Sequence, residues 1–195
     1  RQDPDVVMVG EIRDVETARI AVQASLTGHL VLSTVHTNDA AGAITRLRDM
    51  GIEPFLLAST LRLIVAQRLV RRLCGECRRP EIADAATARL AGVEPGARVW
   101  RPQGCAHCQN TGYVGRVGLY EVIRVDDRVR RLIAAEADED AINAAAFSRS
   151  GADSLTQRAR ALVLEGVTSV EEAVRVTRQE TATVDGDAAG HEVAA

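Results

Sequence analysis

The only four cysteines of the chain fall into two Cys-x-x-Cys pairs, Cys74/Cys77 and Cys105/Cys108, with 27 residues between the pairs. Each pair sets two thiols on the same side of a tight turn, so two such turns can converge on one tetrahedral ion. Any fold of this chain must then bring the two pairs together and accommodate residues 78–104 as a small folded insert, longer than the usual zinc-ribbon spacing. Gly75, and Gly104 just before the second pair, are expected to ease the two turns. Two disulfides or four free thiols are the alternatives. In a reducing compartment the spacing favours zinc held by all four thiolates. His107, inside the second turn, is a competing donor that a complete four-thiolate shell does not need.

Ahead of the cysteines the pattern changes to alternating strands and helices. Val6 to Val9 is a short run rich in β-branched residues, expected as a strand buried on both faces. It ends abruptly in Gly10-Glu11-Ile12-Arg13-Asp14. Asp14 suits the cap of a helix over residues 14–28, with Glu16 in its first turn and Gly28 just past its end. Leu30 to Thr34 reads as a second strand, again followed by polar residues. Asn38 or Asp39 then caps a helix through Met50, closed by Gly51. Strand, helix, strand, helix at this spacing predicts an α/β fold with a parallel sheet.

In such sheets ligands sit beyond the carboxyl ends of the strands, where Glu11 and His36 fall. A carboxylate there, facing a nucleotide, can polarise an attacking water or hold one on magnesium. Taken singly, Glu11 reads as a solvated strand end and His36 as a structural histidine. Together they place polar groups on one edge of one sheet, which is the stronger reading. His29, between Gly28 and Leu30, is either structural or helps to position the site.

Pro54 fits the first turn of a further helix whose apolar residues Leu57, Leu61, Ile64, Val65 and Leu69 face one way. Arg68, Arg71 and Arg72 suit its carboxyl terminus. Beyond the cysteines, "GRVGLYEVIRV" alternates enough for a strand or hairpin arm. Residues 126–178 read as several short helices, with capping boxes at Ser154/Gln157 and Ser169/Glu172. "TATVDGDAAGHEVAA" has no periodicity and is expected to be disordered. The expected organisation is therefore a first domain over 1–72, a tetracysteine subdomain over 73–115, a helical subdomain over 116–178 and a tail over 179–195.

Charge and composition narrow the function. A net charge of -3 with only 3% aromatic residues argues against nucleic acid. No window approaches the roughly 18 apolar residues of a membrane span, and the polar start does not resemble a signal peptide. A cytoplasmic protein is expected. All 24 basic residues are arginine. Since a P-loop needs a lysine and a glycine-rich cradle, any phosphate site here has to take those parts from elsewhere. The chain does not begin with methionine and is expected to be the carboxyl-terminal part of a longer protein.

The residues carry a family resemblance. "RQDPDVVMVGEIRDVETARIAVQASLTGHLVLSTVHTNDA" resembles the Walker B and histidine-box region of the secretion ATPase superfamily, whose members power type II secretion and type IV pilus assembly. Gly10-Glu11 stand where that family ends its Walker B strand in Gly-Glu. The paired cysteines resemble the tetracysteine zinc subdomain of the type II secretion and pilus-extension branch. "RVGLYEVI" and "LEGVTSVEEAVRVT" are similar to its carboxyl-terminal segments.

The resemblance covers about residues 1–178 and implies the second half of a RecA-like P-loop NTPase sheet. It implies ATP with magnesium as nucleotide and a structural zinc on Cys74, Cys77, Cys105 and Cys108. Glu11 would activate the hydrolytic water or support magnesium. His36, with His29, would contact the γ-phosphate side, while Gly10, Arg13 and Asp14 shape the site. It also implies a homo-hexamer attached to inner-membrane platform proteins, with no nucleic acid and no membrane span of its own. The competing reading is a zinc-knuckle module that docks a protein and catalyses nothing.

Overall fold

The computed structural model describes residues 4–148 and 153–178. The first strands and helices are β1 (Val6–Met8), α1 (Val15–Leu26), β2 (Leu30–Leu32), α2 (Ala40–Asp49) and α3 (Pro54–Thr60). A long strand β3 (Leu63–Leu73) leads into β4 (Arg79–Ile82), α4 (Ala85–Ala91) and β5 (Arg98–Arg101). β6 (Tyr113–Arg124) is followed by α5 (Asp127–Ala134), α6 (Glu139–Phe147), α7 (Leu155–Leu164) and α8 (Val170–Arg178). The chain divides into two compact units. One takes in the described residues up to Gln67 together with Tyr120–Leu155; the other takes in Arg68–Leu119 and the described residues from Thr156. The proposed tail over 179–195 lies outside the described residues. Among those described, no helix is long and apolar enough to cross a membrane.

In the first unit β1 and β2 pair in parallel, Val6 opposite Leu30, Val7 opposite Val31 and Met8 opposite Leu32. The linking helix α1 starts where Asp14 accepts the Thr17 N–H at 2.8 Å. α2 starts at Asp39, whose carboxylate accepts the Gly42 N–H at 2.6 Å. Each cap satisfies a backbone donor that the helix itself cannot. Residues Ile44, Leu57, Ile123, Ile133 and Ile142 are fully buried in one core, built where α3 packs on α1 and α5, and α6 on α2 and α5. Truncating one of them, Leu57→Ala for example, is expected to cost about 2–5 kcal/mol.

Three expectations need correction. Val31 packs against the core and Val7 is partly buried, but Val6, Met8, Leu30 and Leu32 on the other face are about half exposed or more, up to 78% for Met8. The strands are therefore covered on one face, because among the described residues their sheet has only two strands and nothing lies over its outer side. β2 stops at Leu32 rather than Thr34, and pairing resumes where Val35 meets Ile12.

The helix expected to run past Leu69 ends at Thr60, and Leu61 is already extended (φ -65°, ψ 133°). From Leu63 the chain is strand β3, paired with β6. Its exposure alternates with a period of two along Leu63, Ile64, Val65 and Ala66. The β-branched pair Ile64-Val65 favours that extended, paired state over continued helix.

The second unit is organised around the cysteines. The insert between the two pairs is a hairpin-like module. β4 and β5 are antiparallel, with Arg79 opposite Arg101 and Ile82 opposite Arg98. α4, capped by Asp84 on the Thr87 N–H at 2.7 Å, joins them. α8 packs on α4 and β5. Ser169 caps α8 through the Glu172 N–H at 3.2 Å, which is half of the expected capping box.

Glu172 sends both its oxygens elsewhere. They accept from Arg71 Nε and Nη2 at 3.0 and 2.8 Å, from the Arg71 backbone N–H at 3.0 Å, and from Arg175 at 2.7 and 3.0 Å. Its side chain has no exposed surface. Burial disfavours its charge, yet the guanidiniums of Arg175 and Arg71 outweigh that and hold the carboxyl down at about 2. Arg78 stacks on Trp100 at 4.5 Å and donates to the Gly166 carbonyl at 2.5 Å. Gly166 has φ +69°, and a β-carbon there would stand 2.5 Å from the indole of Trp100. Only glycine fits that contact.

Candidate functional site

At the carboxyl end of β1 the chain leaves the ladder for two residues, Gly10 and Glu11, and rejoins it at Ile12. The Val9 N–H reaches the Leu32 carbonyl at 2.9 Å, and the Ile12 N–H reaches that of Thr34 at 2.9 Å. The Thr34 hydroxyl donates to the Gly10 carbonyl at 2.8 Å, closing the gap from the side of β2. This excursion turns Glu11 outward. Its Oε2 accepts from Arg13 Nε at 2.7 Å and lies 3.0 Å from His36 Nε2. Arg13 first, then His36, hold the Glu11 carboxyl below its ordinary value. Among the described residues its Oε1 takes no partner. The cluster is open: the Arg13 and His36 side chains are 70% and 79% exposed.

The structure thus brings Glu11, Arg13 and His36 together, with Gly10 beneath them. Asp14 is the next turn of chain, but its carboxylate is used by the Thr17 N–H and hydroxyl, which lower its pKa. His29 is not brought to this cluster. It precedes β2, at the other end of that strand from His36, roughly 20 Å away along an extended chain. There its Nδ1 lies 3.0 Å from the Ala24 carbonyl and 3.1 Å from the Thr27 hydroxyl, at the end of α1.

The four cysteines converge as their spacing predicts. Cys74 and Cys105 Sγ lie 3.9 Å apart, Cys77 and Cys108 3.8 Å, and Cys105 and Cys108 3.7 Å. All four sulfurs fall within 4.8 Å of one another. A tetrahedron with zinc–sulfur bonds of about 2.3 Å has edges of about 3.8 Å, so the donors fit a zinc ion closely. No pair is at the bonded distance of a disulfide, and all four are free thiols. Cys74, Cys77 and Cys108 are buried.

Backbone N–H groups point at the sulfurs, Gly104 to Cys77 at 3.3 Å and both Cys105 and Gly112 to Cys108 at 3.2 Å. Burial pushes the Cys77 thiol up to about 11. At Cys108 burial acts the same way, but the Cys105 and Gly112 N–H groups prevail and bring the thiol down to about 6. Gly104 has φ +101°, and a β-carbon there would lie 2.8 Å from the Asn110 carbonyl oxygen. Gly75 is different: a β-carbon would meet nothing and its φ is not left-handed, so the first turn does not depend on glycine. His107 is not among the converging donors.

Two polar residues escaped the sequence reading. Thr34, expected only as the end of a strand, closes the gap at Gly10 with its hydroxyl. Glu121 is 5% exposed in the inward row Leu119, Glu121, Ile123, Val125 of β6 and its following residue. Its place in that row was visible in the alternation, since every second position around it is apolar.

Residues 1–175 match the sequence profile of a family described as "Type II/IV secretion system protein". The type II secretion system protein E of Pseudomonas aeruginosa is 58% identical over 182 residues, covering 92% of this chain and 36% of that protein. The protein of the same name from Klebsiella pneumoniae is 56% identical over 181 residues. The type II secretion system ATPase E of Vibrio cholerae is 52% identical over 181 residues, again 36% of its length. The chain thus spans little more than a third of these relatives.

Among solved structures, the ADP-bound pilus retraction motor PilT matches with a TM-score of 0.62 and 26% identity, over 90% of this chain and 40% of that one. The ATPase DotB of Legionella pneumophila matches with a TM-score of 0.60 at 24% identity, which speaks to the fold alone. The α/β, RecA-like architecture expected from the sequence is the one these structures share. With a profile match across nine-tenths of its length and relatives above 50% identity, this chain belongs to the type II/IV secretion system protein family.

Proposed function

We propose that the chain is the water-activating half of an ATP-hydrolysing motor that powers type II protein secretion. The observation that carries this is the Glu11 cluster: a carboxylate at the carboxyl ends of two parallel strands, held ionised by Arg13 and His36, with one oxygen that takes no partner among the described residues. An ionised carboxylate is acceptor-only, so Oε1 suits a water whose proton it takes as the water oxygen attacks the γ-phosphorus and the bond to the leaving phosphate oxygen breaks. His36, beyond the second strand, would contact the phosphate side, and Gly10, whose carbonyl the Thr34 hydroxyl holds, would shape the site. Arg13 fixes the carboxylate. Asp14 supports the site by starting α1, and His29 by closing its far end. Magnesium, when bound with the nucleotide, neutralises phosphate charge, and Glu11 is the side chain here that suits it, directly or through water.

The phosphate cradle has to be supplied by sequence outside these residues, because the chain contains no lysine and no glycine-rich P-loop. A purified chain of residues 1–195 is therefore expected to be inactive until that segment is present. The relatives named for type II secretion share 49–58% identity with this chain, which supports secretion as the process it powers. Family membership supports assembly as a homo-hexamer on the cytoplasmic side, docked to inner-membrane platform proteins. The four cysteines would hold zinc, which supplies a cross-link and no chemistry on ATP. The test is Glu11→Gln in the complete protein. ATP should still bind, while turnover falls about 10²- to 10⁴-fold. Unchanged turnover would return Glu11 to the role of a solvated strand end.

A further inference from the structure

Glu121 is a charged side chain in an apolar row, 5% exposed between Leu119 and Ile123, which are fully buried. A carboxylate is retained in such a place only when its oxygens are hydrogen-bonded. Both are. Oε1 accepts the N–H of Ala40 at 3.0 Å, and Oε2 accepts the N–H of Leu155 at 3.0 Å. Each donor is the first residue of a helix, α2 or α7, where backbone N–H groups lack intrahelical partners and the helix dipole favours negative charge. Neither is near in sequence, Ala40 being 81 residues and Leu155 34 residues away.

What Glu121 holds matters because of what lies just upstream of it. Ala40 is four residues beyond His36, whose ring reaches Glu11 at 3.0 Å. The segment between is short and tied down: the Thr37 hydroxyl donates to the Asp39 carbonyl at 3.0 Å, and Asp39 caps α2 from outside. The start of α2 is thus gripped from the solvent side by Asp39 and from the core by Glu121. The Leu155 N–H fixes the carboxylate's second oxygen, so the group cannot swing away from Ala40.

We infer that Glu121 is a positioning residue for the proposed hydrolytic site, seating the first turn of α2 so that His36 stays against Glu11. This rests on the proposed roles of Glu11 and His36. It differs from a purely stabilising role in predicting that the effect of Glu121 passes through His36.

The experiment has two arms, both on the complete protein. In the first, the ¹⁵N signals of the His36 ring are followed in the parent, in Glu11→Gln and in Glu121→Gln. Glu121→Gln keeps the side-chain size but points an amide donor at a backbone donor. Its His36 signals should move towards those of Glu11→Gln. If they stay at the parent position in a folded variant, the inference is overturned, whether or not the protein hydrolyses ATP. Should Glu121→Gln not fold, Glu121→Asp, which withdraws the carboxylate by about one bond length of 1.5 Å, replaces it.

In the second arm, ATP turnover is measured for the Glu121 variant, His36→Ala and the double variant. The Glu121 change alone should lower kcat about 10- to 100-fold with KM little changed, as expected for a displacement near 1 Å. Added to His36→Ala it should lower kcat no further. Losses that multiply in the double variant would overturn the inference. Turnover unaffected by His36→Ala, together with His36 signals that do follow Glu121, would leave the positioning intact and refute the proposed role of His36.

Discussion

The cysteine cluster and the Glu11 cluster are built in opposite ways from the same chain. The cysteines are enclosed, their sulfurs met by backbone N–H groups, and the segment around them is clamped by Glu172, Arg78 and Trp100. Every donor a zinc ion needs is present within 35 residues of sequence. At Glu11, by contrast, a half-buried carboxylate sits at a sheet end between two side chains that stand largely in solvent, and one of its oxygens has no partner among the described residues. Among the described residues, the outer face of the two-stranded sheet behind them is apolar and exposed. A site complete within one segment can couple its chemistry to folding. A site left open has to gain its affinity from parts brought to it. Stability should therefore track the cysteines and hardly notice Glu11, while activity should do the reverse.

The strongest way to break this comparison is to remove metal. The purified chain should carry about one zinc, as four-thiolate sites do. Chelation or Cys108→Ser should unfold the second unit, since binding free energies of about 10 kcal/mol or more are coupled to folding at such sites. Trp100, the only tryptophan, reports this directly by fluorescence. Fluorescence and melting that ignore metal removal would show that the cysteines are packing residues only.

Glu172→Ala comes next. It leaves the half-exposed Arg71 and Arg175 without their shared carboxylate, and losing those charge-assisted hydrogen bonds is expected to cost about 1.5–3 kcal/mol in chemical denaturation. The pH dependence has a definite sign. Because folding lowers the Glu172 pKa from the ordinary 4.5 to about 2, its contribution is full above about pH 4.5 and lost as pH falls towards 2. The variant should lack that acid-sensitive step in the Trp100 signal.

A smaller effect separates the two cysteine turns. Gly104→Ala, at a left-handed position against the Asn110 carbonyl, should destabilise by about 1–3 kcal/mol. Gly75→Ala should be silent in the same melt. Equal effects would mean that the two turns are built alike after all. The smallest expected change in stability is that of Arg13→Ala. The ion pair it breaks is exposed, so the melting midpoint of the first unit should not move. A ¹³C titration should instead show the Glu11 carboxyl rising towards its ordinary pKa, because its main stabilising partner is gone.

Local signals were legible in the sequence and distant ones were not. Asp14, Asp39 and the paired cysteines announce themselves because cap and helix, or ligand and ligand, are set by spacings of three or four residues. Glu11 and His36 were legible as the ends of consecutive strands, although each alone was weak. The run from Leu57 to Leu69 deceived because leucines at 57 and 61 fit a helical period, while the alternation that wins starts only at Leu63. What decides there is pairing with β6, some fifty residues on, and no local pattern records a partner that far away. Glu121 and Glu172 were hidden for the same reason, the second finding its backbone donor 101 residues back in the chain. Charge in an apolar row is visible; what satisfies it is not.

The contact between Gly166 and Trp100 has a consequence for how relatives of this chain can diverge. Every single-base change of a glycine codon that replaces glycine by another amino acid adds at least a β-carbon, and a β-carbon at 166 collides with the indole. Position 166 is closed to one-step drift while a tryptophan stands at 100. A lineage can reach a larger residue there only by first shrinking Trp100, and so giving up the ring on which Arg78 stacks. The two positions should therefore change in a fixed order, and descendants with an altered 166 should already carry a smaller side chain at 100.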